Sequence, residues 1–287
     1  MDTNKSDINL IPNGILVIVG GHENKGEKPD KKVQEAHRTR EVLDNFVHLT
    51  GKKDPVIEVV TTASSMGEEA FKDYHKAFTA LGVNNIGQIH HDKRYETLND
   101  NLDDRLTKAD AVYFAGGDQL KLTSIYGGTD LLLRLKERYI KDQLVLGGTS
   151  AGAMAFSTPM IVAGNQEVQQ IAGEIRVTTG LEFLKDVCID THFVDRGRFV
   201  RMAQVIATNP TCIGIGIEED TAIVVRNGTE AEVIGSGVVI VIEGFNITDS
   251  NILDLGSQES VYIHNLNVSL LSKGNRYQIP RHNPPHL

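Results

Sequence analysis

The chain has 287 residues, 40% apolar and 23% charged, and its 29 basic and 38 acidic side chains leave a net charge of -9. An acidic surface of this kind repels phosphate backbones and anionic membranes, so neither nucleic acid nor a membrane is an expected partner. Cys188 and Cys212 are too few for a disulfide framework, and the first apolar run is too short for a signal peptide or a membrane span, so the expected location is the cytoplasm.

Short apolar runs alternate with amphipathic stretches through the first two-thirds of the chain. Residues 15–19 read as a strand ending in Gly20-Gly21, and 31–49 as a helix. Strands follow at 55–60, 85–90, 111–115 and 144–146, with helices at 68–81, 97–108 and 131–141 between them. Such alternation predicts a doubly wound α/β fold around a mostly parallel sheet. Strands buried on both faces explain the unbroken apolar runs. Beyond Gly180 come a strand at 187–190, a helix at 196–207 and a strand at 213–217. Short β-like runs at 222–225, 233–242, 261–263 and 266–271 then dominate. One domain over 1–287 is expected, with a core at about 14–222 and a β-rich antiparallel extension at 223–280.

The sharpest chemical feature is Gly147-Gly148-Thr149-Ser150-Ala151-Gly152-Ala153. Gly-x-Ser-x-Gly between a strand and a helix is the pattern of a nucleophile elbow, in which a tight turn lifts the serine Oγ out of the sheet. Backbone N–H groups at the helix start would face a developing oxyanion. A plain glycine turn is the rival reading; a Walker loop is excluded because no Lys-Ser/Thr pair follows the glycines.

A serine nucleophile needs a base. Of the ten histidines, His37, His48 and His75 read as helix residues. His90 and His91 form a loop pair, and His264, His282 and His286 are late or terminal. His192 follows the strand at 187–190, at the edge where a parallel sheet presents its ligands. The base in turn needs an acid. Glu218, Glu219 and Asp220 follow the strand at 213–217, and strand alternation favours Glu219, with a solvated acidic turn as the alternative. The order serine, histidine, acid differs from that of α/β-hydrolases. The glycine turn Gly116-Gly117-Asp118-Gln119 could supply one oxyanion donor from the Gly117 N–H, with the Ala151 N–H as the other. No histidine and acid spacing matches a zinc motif, and no cofactor is expected.

Several blocks together resemble the cyanophycinase family. They are residues 20–25 (GGHENK), 114–119 (FAGGDQ), 148–153 (GTSAGA), 190–193 (DTHF) with Arg196, Arg198 and Arg201, and 214–222 (GIGIEEDTA). They keep the family's order and cover most of the chain. The resemblance implies a flavodoxin-like core related to peptidase E-type aspartyl dipeptidases. It also implies cofactor-free hydrolysis of cyanophycin, an arginine-bearing poly-aspartate, to β-aspartyl-arginine through an acyl-enzyme. Ser150, His192 and Glu219 would form the triad, and Gln119, Asp190, Thr191, Arg196, Arg198 and Arg201 would line the substrate cleft, with Asp190 holding one of the arginines in place as the alternative to a substrate contact. Thr191 stands where the family usually carries glutamine, which bears on substrate detail. Family relatives are often homodimers, although no stretch of this sequence marks an interface. The rival readings are an aspartyl dipeptidase acting on free dipeptides and a catalytically silent binding protein on the same fold.

Overall fold

The computed structural model describes residues 11–25, 40–163, 171, 174–254 and 259–280. In chain order the first half contains β1 (Ile15–Val19), α1 (Glu41–His48), β2 (Val56–Val60), α2 (Gly67–Thr79), β3 (Asn85–Ile89), α3 (Arg94–Asn99), α4 (Asp103–Lys108), β4 (Ala111–Phe114), α5 (Gln119–Tyr126), α6 (Asp130–Lys141), β5 (Val145–Thr149) and α7 (Ala151–Met154). The second half contains β6 (Met160–Ala163), β7 (Arg176–Thr178), β8 (Val187–Thr191), α8 (Phe199–Thr208), β9 (Ile213–Ile217), β10 (Thr221–Arg226), β11 (Glu230–Gly235), β12 (Val239–Glu243), β13 (Asp249–Ser250), β14 (Ile263–His264), β15 (Asn267–Leu271) and β16 (Arg276–Gln278).

The main sheet has eight strands in the order β16-β11-β10-β1-β5-β4-β2-β3. β1, β5, β4, β2 and β3 are mutually parallel, whereas β10, β11 and β16 join antiparallel. The fold is therefore α/β with a large, mainly parallel central sheet. Side chains alternate between its faces, and both faces are covered. Leu16, Ile18, Val112 and Phe114 enter one apolar cluster, while Val17, Val19, Ala111 and Tyr113 enter another. This double burial is why β1 and β4 are apolar at every position.

The strands expected at 187–190 and 213–217 are parallel to each other but lie outside the main sheet. β8 and β9 belong to a second sheet of order β15-β12-β9-β8, with α8 packed on it through Met202 and Ile206. The strand expected at 233–242 is two strands. Its break at Ser236-Gly237 lets the chain leave β11 in the main sheet and enter β12 in the second. The helix expected at 97–108 is also two pieces. The intervening Asp100-Asn101 pair favours local side-chain bonds over helix continuation, as when the Asn101 side chain accepts the Asp103 N–H at 3.2 Å. Of the helix expected at 31–49, α1 is present; residues 31–39 lie outside the described residues. Among the described residues, no helix is long and apolar enough to cross a membrane.

Candidate active site

β5 ends at Thr149, and Ser150 follows with φ +51° and ψ -115°, a strained conformation for any residue but glycine. Its N–H donates to Val19 O at 3.1 Å and its carbonyl accepts the Met154 N–H at 2.9 Å. These two bonds fix the turn from both sides. The flanking glycines are needed for space. A β-carbon on Gly148 would sit 2.8 Å from Gly152 backbone, and one on Gly152 would sit 2.3 Å from Phe114 O. The spacing Gly-x-Ser-x-Gly is thus the record of two close backbone approaches. α7 spans four residues, so its contribution to an oxyanion rests on individual N–H groups near Ser150, not on a helix dipole.

Ser150 Oγ lies 3.0 Å from His192 Nε2, and His192 Nδ1 lies 2.6 Å from Glu219 Oε1. Because an ionised carboxylate only accepts, Nδ1 carries the proton and Nε2 is left free to accept one. The three groups come from three places. Ser150 follows β5 of the main sheet, and His192 follows β8 of the second sheet. Glu219 lies in the 218–220 turn where the chain crosses from β9 to β10, between the sheets. The register Thr191↔Ile217 brings the exits of β8 and β9 side by side.

The other two acids of that turn point elsewhere. Glu218 accepts the Val194 N–H at 2.7 Å and the Glu219 N–H at 2.8 Å. Asp220 accepts the Asn24 N–H at 3.1 Å and the Ser236 hydroxyl at 2.9 Å. Of the three, Glu219 alone reaches His192, as the alternation argument favours. The Gly116-Gly117 turn abuts the serine, since a β-carbon on Gly116 would lie 3.3 Å from Ser150 Cβ. Among the described residues, neither the Gly117 nor the Ala151 N–H donates to a protein acceptor.

The residues expected to hold substrate divide into two groups. Asp190 and Thr191 are fully buried and Arg201 is 8% exposed. Arg201 grips Asp190 through both Nε, at 2.6 Å, and Nη2. Arg198 Nη1 adds 3.0 Å to Asp190 and 2.7 Å to the Thr191 carbonyl. Asp190 thus anchors two arginines of the expected clamp, and two guanidinium groups on one carboxylate leave a net positive charge. Burial lowers Arg198 to about 10 despite the pull of Asp190, and it stays charged at neutral pH. Arg196 is exposed and Gln119 half-buried, its Nε2 donating to Ile161 O at 2.8 Å. Thr191 Oγ1 is buried with no described partner.

Two residues beside Ser150, His192 and Glu219 have no role predicted from the sequence. His22 Nδ1 lies 2.9 Å from the same Glu219 oxygen that His192 holds. Glu23 is 5% exposed and accepts from Tyr74 at 2.5 Å, Tyr113 at 3.2 Å and Thr149 at 2.6 Å. The signal available was position: both follow a Gly-Gly pair at the exit of a parallel strand, the edge where such sheets build their sites.

Burial pushes the His192 imidazole below its ordinary value; the hydrogen bond to Glu219 opposes this and the Arg196 charge adds to it. Burial alone would raise the Glu219 carboxyl, but the His192 and His22 hydrogen bonds outweigh it and hold the group below its usual range. A base must be neutral to accept a proton, so the acid limb of kcat/KM is expected below the ordinary imidazole pKa of about 6.5. Arg196→Ala removes a positive charge, eases formation of the imidazolium and should move that limb to higher pH. A limb that does not move removes Arg196 from the electrostatics of the base.

His22, His192 and Glu219 also lie close enough together to be tested as a metal site. Yet Glu219 Oε1 already joins the two Nδ1 atoms at 2.9 and 2.6 Å. Ligands around zinc, at bonds of ~2.0–2.1 Å in a tetrahedron, stand ~3.3 Å apart. Hydrogen bonding therefore accounts for the spacing, and activity is expected to persist in EDTA. Loss on chelation with recovery on added zinc would contradict this.

The chain is similar in sequence and fold to several known proteins. The chain is 29% identical to the cyanophycinase of Synechococcus elongatus over 273 residues, covering 95% of this chain and 81% of that protein. It is 28% identical to the cyanophycinase of Geminocystis herdmanii over 269 residues, 94% and 95% of the two chains. In fold it is similar to the crystal structure of a peptidase from an acI-B1 Actinobacterium, with a TM-score of 0.63 at 20% identity over 94% of this chain and 98% of that one. A putative peptidase E protein from Listeria monocytogenes aligns at a TM-score of 0.50 and 18% identity, over 78% and 99%. The sequence profile of Peptidase family S51 matches residues 30–233, more than half of the chain, and the chain belongs to that family of peptidases.

Proposed function

We propose that this peptidase is a serine-type cyanophycinase that releases β-aspartyl-arginine through an acyl-enzyme. The observation that carries the reading is Ser150 Oγ at 3.0 Å from His192 Nε2 on a positive-φ elbow, with Glu219 at 2.6 Å behind the imidazole. In the forward step His192 Nε2 takes the Ser150 proton as Oγ attacks the scissile carbonyl carbon. The carbonyl π pair moves onto oxygen, where the Gly117 and Ala151 N–H groups stabilise it. Collapse breaks the C–N bond, and the imidazolium gives its proton to the leaving amine. Water then repeats the sequence on the ester and frees Ser150.

Two considerations support the substrate. The curated relatives are cyanophycinases, and the exposed Arg196 and the Asp190-anchored Arg198 offer positive charge beside the base to carboxylates on each β-aspartyl-arginine unit. A site built on such pairing rejects chains that leave its charges unpaired, by ~10⁴–10⁵. The test compares insoluble cyanophycin, unmodified poly-aspartate and casein, with the soluble product identified by mass. Solubilisation of cyanophycin to β-aspartyl-arginine is expected, without comparable cleavage of casein. Arg198→Ala should lose turnover while Asp190 and Arg201 keep their bidentate pair. Casein cut as fast as cyanophycin, or an Arg198→Ala enzyme as active as wild type, would overturn the selectivity.

A further inference from the structure

The segment leaving β1 touches every member of the Ser150, His192 and Glu219 set. Val19 O accepts the Ser150 N–H at 3.1 Å, Gly20 O accepts the His192 N–H at 2.8 Å, and Gly21 O accepts the Asp220 N–H at 2.9 Å, one residue beyond Glu219. Gly21 lies so close to the His192 ring that a β-carbon on it would stand 2.3 Å from Cε1. Glu23 holds Thr149, the residue before Ser150, at 2.6 Å. In the middle of this run His22 takes φ +47°. Its Nδ1 reaches Glu219 Oε1 at 2.9 Å, and its ring stands edge-on to His192 with centroids 5.0 Å apart and planes at 79°.

A residue at positive φ carries a backbone cost unless something holds it there. His22 is also well exposed, with 64% of its side chain accessible, so core packing does not explain its place. What it touches is the acid and the ring of the proposed base. We propose that His22 is a positioning residue: through Nδ1–H it fixes the Glu219 carboxylate that orients His192, and through its ring edge it braces the imidazole facing Ser150. This rests on the triad reading of the site. A carboxylate held by one donor can rotate; held by two imidazoles on one oxygen, it presents that oxygen in one place. His22 also draws part of the Glu219 charge away from His192. The charged groups facing the pair are Glu219 from the turn after β9 and Arg196 from the segment after β8, so loss of His22 leaves Glu219 to act on His192 alone and raises the basicity of the imidazole.

The test uses inactivation by a serine-reactive phosphonate, which needs no assumption about the natural substrate. Wild type must first form an adduct on Ser150; its absence sinks the triad reading itself, separately from the role of His22. Given the adduct, His22→Gly removes the imidazole and relieves the positive φ. Its limiting inactivation rate is expected to fall by up to ~10²-fold with the half-saturating concentration within about twofold, as for misplacement of a reacting group. Its acid limb should move to higher pH. His22→Asn keeps a donor near the Nδ1 position and tolerates positive φ, and should recover most of the rate. A His22→Gly protein with wild-type rate and limb would overturn the proposal. So would a change confined to half-saturation, which marks a ligand contact, or an equal loss in both variants accompanied by a lowered melting temperature, which marks a purely structural role.

Discussion

Replacing Ser150 by alanine is expected to lower kcat by ~10⁴–10⁶, the loss typical of a nucleophile in a serine–histidine–acid set. The fold should survive. The Ser150 side chain makes one described hydrogen bond, to His192 Nε2, whereas the turn is held by backbone bonds to Val19 and Met154 that alanine keeps. The melting temperature should therefore stay near that of wild type while turnover disappears. Activity within about tenfold of wild type would remove Ser150 as the nucleophile, because no residual oxyanion stabilisation restores so much.

The second large effect is expected at Glu219. A glutamine there can turn its amide NH₂ toward His192 Nδ1, and Nδ1 must then accept. The proton moves to Nε2, the imidazole faces Ser150 as a donor, and it can no longer act as a base. Turnover should fall by ~10⁴, as when the orienting acid of a triad becomes an amide. Glu218→Gln is the internal control. Glu218 holds the backbone of Val194 and Glu219, and burial with the adjacent Asp195 raises its carboxyl above the ordinary range, so neutralising it should matter much less. If Glu218→Gln proves the damaging change and Glu219→Gln the mild one, the acid is assigned to the wrong residue of the turn.

The elbow was legible because its chemistry is written in local constraints. Gly148 and Gly152 are glycines where backbone meets backbone, and such pairs keep a fixed spacing in any sequence that makes the turn. The parallel strands were legible for a similar reason: burial on both faces removes polar residues from β1 and β4 alike. What could not be read was which sheet a strand joins. The strands at 187–191 and 213–217 have the same apolar character as those of the main sheet, because apolar sequence records burial and not neighbours. The same ambiguity hid the crossing at Ser236-Gly237.

Charges were visible in the sequence, and Asp190 holding an arginine in place was one reading of them, but that it would hold both Arg198 and Arg201 was not legible. Asp190, Arg198 and Arg201 read as a set that holds substrate. Yet Asp190 is fully buried, and a buried carboxylate must find its own cations, since an unpaired one costs several kcal/mol. Strand β8 points Asp190 inward, and α8 with the turn before it brings the two arginines over it. His22 was missed for a related reason. His22 directly follows a Gly-Gly pair at a strand exit, which marks the edge of the site, but no sequence period leads from there to Glu219, some two hundred positions away.

A serine nucleophile activated by a neighbouring histidine reacts covalently with phosphonates, so labelling distinguishes Ser150 from every other serine. The protein would be treated with a serine-reactive phosphonate at neutral pH, digested, and the adduct located by mass spectrometry. One adduct is expected, on the peptide containing Ser150, formed in step with loss of activity and greatly slowed in His192→Ala. An active protein that resists the reagent, or an adduct on another residue that tracks the loss of activity, would contradict it.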